Sequence, residues 1–97
     1  MVENTFKYRI DEFLNQLPVL QYRHAMRLIP ELLDVSPRTF ANYRNIKLND
    51  SRDIPHEKVA LLEKLFALHP GELQNFVIVA SPITELTDTD LYLAQKL

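Results

Sequence analysis

The chain of 97 residues contains no cysteine and a single glycine. Without cysteine there is no disulfide scaffold, no thiol nucleophile and no cysteine-ligated zinc or iron–sulfur site. One glycine leaves no glycine-rich loop to cradle a phosphate. Glycine and proline together number seven, too few for a turn-rich β-barrel or a disordered chain. No apolar run approaches the roughly 20 residues of a membrane span. The N-terminus carries Glu3 and Asp11 and lacks the apolar stretch of a signal peptide, so a cytoplasmic location is expected. What is present suits one small domain: hydrophobic residues make up 46%, enough for a core.

The net charge is −2, which by itself counts against nucleic acid, because phosphates require positive charge. Its distribution changes that reading. Residues 36–52 hold Arg38, Arg44, Lys47 and Arg52 against only Asp50, a local +3. Residues 71–97 carry −3, and the remainder is near balance. Net positive charge is thus concentrated in one short stretch, with an acidic C-terminal end.

Apolar periodicity predicts an all-α domain of four or five helices. Residues 5–17 read as a helix through Phe6, Ile10, Phe13, Leu14 and Leu17, with Thr5 or Asn4 as cap. Pro18 ends it or begins the next. Residues 19–33 follow, with a break or kink expected near Ile29 because Pro30 removes a hydrogen bond. Asp34 and Val35 form a tight connection, Ser36 is an N-cap and Pro37 occupies the first helical position of 37–45. Leu33, Val35 and Phe40 belong to the core. Residues 46–55 form a loop pinned by Ile46, Leu48 and Ile54. A helix over 56–68 and a short one over 71–77 follow. The run 76–80 fits a strand or a helical continuation, and 88–96 fits a last helix capped by Thr87 or Asp88. This divides the chain into a helical domain, 1–80, and an acidic extension, 81–97.

The unit of about 26–45, helix, short turn and capped second helix, carries the clearest functional signal. Such geometry leaves the N-terminal end of the second helix free to enter a DNA major groove. Arg38 can pair bidentately with guanine and Asn42 with adenine, and Thr39 suits a base or a phosphate. Ser36, Tyr43, Arg44, Asn45, Lys47 and Arg52 are candidates for the phosphate backbone. The plainer reading is that Arg38 and Asn42 are solvated helix residues.

Residues 25–76 resemble the lambda-repressor-like (Cro, XRE) helix-turn-helix family. The resemblance rests on Leu32-Leu33-Asp34-Val35-Ser36-Pro37-Arg38-Thr39-Phe40-Ala41-Asn42-Tyr43, which is similar to the family's Leu-Gly-Val-Ser-x-x-Thr-Ile core. Leu33, Val35, Phe40 and Tyr43 match its apolar positions. The resemblance implies that Pro37, Arg38 and Asn42 face bases. Pro55, the helix after it and Gly71-Glu72-Leu73 resemble the family's later helices. Asp34 departs from the usual glycine and Pro30 from the usual small residue. The loop 45–54 looks about five residues longer than in the family. The resemblance implies a bacterial or phage transcriptional regulator, a repressor acting as a homodimer on a palindromic operator of double-stranded DNA. The self-association surface is expected in 76–80 or 87–97 or both. The competing reading is a protein-interaction module that keeps the helical fold without specific DNA contact.

Nothing in the sequence suggests an enzyme. His24, His56 and His69 are far apart, and none begins a metal-ligand spacing, so neither metal nor cofactor is expected.

Overall fold

The computed structural model describes residues 5–86. It contains four α-helices: α1 (Ile10–Asn15), α2 (Val19–Leu32), α3 (Pro37–Arg44) and α4 (His56–Leu65). A 3-10 turn at Ile83–Glu85 follows. The expected last helix at 88–96 and the Thr87 or Asp88 cap lie outside the described residues. None of the described helices is long and apolar enough to cross a membrane.

The helix expected from residue 5 begins only at Ile10. Residues 5–9 sit between two other short segments. On one side Lys7 N–H donates to the Ile46 carbonyl at 2.8 Å and Leu48 N–H to that of Thr5 at 2.9 Å. On the other, Arg9 N–H donates to the Leu73 carbonyl at 2.7 Å and Asn75 N–H to that of Lys7 at 2.8 Å. The pairings are antiparallel bridges, Phe6 with Lys47 and Tyr8 with Gln74. The sequence pattern was ambiguous here: Phe6 and Ile10 fit a helical spacing, but Phe6, Tyr8 and Ile10 equally fit period two. Long-range hydrogen bonds select the second. The same pairing removes the helix expected at 71–77. That stretch becomes a turn at Gly71, where φ is +91°, followed by the paired segment around Gln74.

α2 runs unbroken to Leu32 with Pro30 inside it, so of the break or kink expected near Ile29 the break does not occur. Pro30 lies in the last turn, so one missing hydrogen bond does not interrupt a helix already formed by the preceding eleven residues. α2 and α4 end in the same way. Asp34 takes φ +57°, its N–H donates to the Glu31 carbonyl at 3.1 Å, and Val35 N–H reaches Pro30 at 2.9 Å. Ala67 takes φ +58°, its N–H donates to Lys64 at 3.1 Å, and Leu68 N–H reaches Glu63 at 2.7 Å. Both are Schellman terminations, in which a left-handed residue lets two amides satisfy the last free carbonyls. The second one ends α4 at Leu65, three residues before the expected end at 68.

The core is one cluster. Ile10, Leu14, Leu33, Phe40, Ile46, Leu62 and Leu73 are each at most 2% exposed, and Tyr8, Ile29, Ile54 and Val59 complete it. All four helices contribute to it, α3 through Phe40. Ile46 and Ile54 pin the long loop, as expected of them.

Among the described residues one charged side chain is buried with this core. The carboxylate of Glu63 accepts from Gly71 N–H at 2.7 Å and from Leu73 N–H at 3.1 Å. A buried carboxylate is tolerated where amides satisfy it. Here it bends the chain after α4 back towards residues 5–9.

Candidate nucleic-acid interface

The α2–turn–α3 unit is set by local chemistry. Asp34 ends α2 in the left-handed region, where aspartate is better tolerated than most residues. Two residues later Ser36, with φ −71° and ψ 158°, caps α3. Its Oγ accepts the Thr39 N–H at 3.0 Å and lies 3.1 Å from the Thr39 Oγ1. Pro37 fills the first helical position, where a missing N–H costs nothing. Phe40, 1% exposed, fixes the rotation of α3 about its axis.

That rotation sorts the candidate residues. Measured from Phe40 at 100° per residue, Arg38, Asn42 and Asn45 lie on the opposite, outward face. Pro37, Arg38, Asn42 and Asn45 are exposed, and neither Arg38 nor Asn42 uses its side chain within the described residues. Asn45 differs: its Nδ2 donates to the Ala41 carbonyl at 2.9 Å, capping α3 from within. Thr39 and Tyr43 lie on one flank. With Asn42, Ile46, Arg52 and Asp53 they line a shallow hollow of about 220 Å³. Ser36 is exposed beside Pro37 and Arg38 at the helix start.

The three cations among the expected backbone contacts are also committed elsewhere. Arg44 turns inward. Its Nε lies 2.6 Å from Asp11 Oδ1, and its Nη1 3.7 Å from Met26 Sδ. It therefore ties α3 to α1 and α2. Arg52 closes on Asp50, with Nη2 to Oδ2 at 2.5 Å and Nε within 3.1 Å of both oxygens. This hydrogen bonding by Arg52 holds the Asp50 carboxyl down at about 2. Lys47 Nζ sits 3.6 Å from the centroid of the Phe6 ring. The +3 of residues 36–52 is a property of composition, and ion pairing reduces it in the fold.

The guanidinium groups that remain available lie partly outside that stretch. Arg23 and Arg27 of α2 are exposed and make no ion pair or hydrogen bond among the described residues. Glu31 follows Arg27 by four residues without pairing with it. On the α2 wheel, Arg23 and Arg27 flank the side that presents Met26 and Pro30, the side that meets α3 through Arg44. Arg23, Arg27 and Arg38 are thus the exposed arginines of α2 and α3 without an ion pair among the described residues. Sequence reasoning missed the first two because residues 18–35 are neutral in sum. The signal was present in the i, i+4 spacing of two arginines.

A second network borders the hollow. Tyr8 Oη donates to Asp53 Oδ1, Lys7 Nζ lies 3.0 Å from Asp53 Oδ2, and Ile54 N–H donates to Asp53 Oδ1 at 2.8 Å. Burial, then the hydrogen bond to Asp53 and its charge, pushes the Tyr8 hydroxyl well above the usual tyrosine range. Burial opposes charge on Asp53, but hydrogen bonds from Tyr8, Ile54 and Lys7 outweigh it and hold the carboxyl below its ordinary value. This clamp fixes residues 5–9 to the loop that follows α3.

A larger hollow of about 500 Å³ lies between α1, α2 and the end of α4. Phe13, Leu17, Leu28, Leu32, Leu65 and Phe66 give it an apolar lining. No three histidine or carboxylate side chains gather as metal ligands among the described residues. Comparison of the chain with family models, with curated proteins and with solved structures gives no match.

Proposed function

We propose that the chain binds double-stranded DNA sequence-specifically through α3, as a small transcriptional regulator of the lambda-repressor-like helix-turn-helix type. One observation carries this reading. A left-handed Asp34 and a Ser36 cap join α2 to α3, while Phe40 turns Arg38 and Asn42 outward with their side chains unengaged. Arginine and asparagine four residues apart on one exposed face match the bidentate requirements of guanine and adenine. Arg23 and Arg27 supply phosphate contacts in place of Arg44 and Arg52. Ser36, Pro37 and Thr39 stand at the end of α3 that approaches the groove.

Selection from random duplexes at two salt concentrations tests the proposal. An enriched sequence whose affinity falls steeply with salt is expected. Arg38→Ala then relaxes base choice at one position by about 1–3 kcal/mol. Arg23→Ala and Arg27→Ala weaken all duplexes alike, and each lowers the logarithmic salt slope by about 0.9. No enrichment at either salt overturns the reading. The apolar hollow, with Leu32 54% exposed at its edge, favours one alternative: a module that binds a protein partner there and not DNA. That alternative predicts no duplex enrichment.

A further inference from the structure

Two features of the fold take no part in the contacts described above. Residues 76–80, where the sequence left strand or helix open, form neither, and Val77, Ile78 and Val79 are exposed. The other feature is a lysine. Lys58 stands in the first turn of α4, yet its Nζ donates to the Leu33 carbonyl at 2.7 Å, at the end of α2. The side chain is partly buried and forms no ion pair among the described residues. A cation in the first turn of a helix opposes that helix's own dipole, whereas at the last carbonyls of another helix it is favourable. α2 has no basic residue in its own last turn, so Lys58 supplies from α4 the charge that α2 lacks.

The carbonyl it holds belongs to the joint between α2 and α3. The Schellman termination uses the carbonyls of Pro30 and Glu31. That of Leu33 lies beyond them, on the peptide that enters Asp34. Asp34 sits at φ +57°, where a β-carbon is strained and glycine is not. Rotation of this peptide is the motion that takes Asp34 out of the left-handed region and redirects the chain into Ser36 and α3. Leu33 itself is 2% exposed, so its carbonyl is held on an anchored residue. We infer that Lys58 is a positioning residue. By fixing the Leu33–Asp34 peptide it keeps Asp34 left-handed and sets the direction of α3, and with it Arg38 and Asn42. Its consequence for base discrimination rests on the DNA reading; its effect on the joint does not.

Amide hydrogen exchange tests the joint without DNA. In Lys58→Met the Asp34 and Val35 amides should exchange about tenfold faster, the lower end of what a charge-assisted hydrogen bond supplies. The core amide of Leu62 should change only as far as urea unfolding accounts for. On the duplex that the unmodified chain selects, Lys58→Met should lose about tenfold of its preference over a random duplex, because only molecules with the joint set can read bases. A residue that merely stabilised the fold would leave that ratio unchanged in a sample still folded. Lys58→Arg, which keeps a charged donor, should restore both readings. Asp34→Gly, left-handed without strain, should shrink the effect of Lys58→Met on each. Unchanged exchange at Asp34 and Val35 in Lys58→Met overturns the inference, and so does equal acceleration at Leu62, which marks a global loss of stability. A preserved preference between duplexes despite faster exchange at the joint also overturns it. If the unmodified chain selects no duplex, the DNA reading falls and the specificity role with it, while the exchange rates still decide whether Lys58 holds the joint.

Discussion

Arg44 decides between a DNA contact and an internal strut. Composition placed it in the cationic stretch of 36–52, but its guanidinium meets Asp11 at 2.6 Å and lies against Met26 and Phe40. The two side chains are 22% and 35% exposed, between a surface and a buried pair. At an effective dielectric of 20, unit charges about 4 Å apart attract by about 4 kcal/mol. Dehydration and side-chain ordering offset most of that. Exposed pairs are worth about 0.2–1 kcal/mol, whereas breaking a buried one costs about 3–5 kcal/mol. The intermediate burial places the coupling at roughly 1–2 kcal/mol. Arg44→Ala also loses the guanidinium's contact over the Phe40 ring, for a total near 2–3 kcal/mol. A double-mutant cycle with Asp11→Ala, followed by urea unfolding at low and high salt, isolates the coupling. Partial burial predicts that salt reduces it only in part. A coupling below about 0.3 kcal/mol refutes the argument. So does an Arg44→Ala protein of full stability that loses affinity for all duplexes with a reduced salt slope, which restores the phosphate role.

Three further perturbations follow from the same geometry. Ala67→Gly should raise stability by about 0.5–1 kcal/mol, since a β-carbon at φ +58° is strained and glycine is not; a lower unfolding midpoint would contradict this. Glu63→Ala strips the acceptor from the Gly71 and Leu73 amides and should cost about 2–4 kcal/mol, while Glu63→Gln keeps an acceptor oxygen and should cost about half as much. Equal losses in urea titrations would show that amide satisfaction is not the cause. Asp50 titrates at about 2 when folded, so its stabilisation is complete above about pH 4 and lost as pH falls towards that value, and Asp53, also held below its ordinary value, acts in the same direction. Tyr8 is shifted upward, so its contribution is present below about pH 10 and lost above it. Unfolding midpoints across pH should show both limbs, and Tyr8→Phe should remove the alkaline one. An unchanged alkaline limb in Tyr8→Phe would exclude the clamp.

Legibility varied with the range of the interaction responsible. The Asp34–Val35–Ser36–Pro37 joint was readable because each residue acts within about four positions: a left-handed turn residue, a hydroxyl acceptor and a ring with φ already set. Leu33 and Phe40 were readable as core because one helical face must be covered. The start of α1 was not. Thr5 to Arg9 satisfies two patterns at once, and the choice lies with carbonyls of Ile46 and Leu73, distant in sequence. The end of α4 was missed for a related reason. Ala67 is a good helix former, yet it is held left-handed by a termination whose next turn is tied to buried Glu63.

By itself, then, the sequence determined the cysteine and glycine-loop chemistry that is excluded, the helical class and the capped joint. The tertiary structure alone decided which charges are available. Arg44 and Arg52 are paired with Asp11 and Asp50, whereas Arg23 and Arg27, in a stretch of zero net charge, have no ion pair among the described residues. The physical reason is that Coulomb interactions depend on distance through space, and composition records only order along the chain.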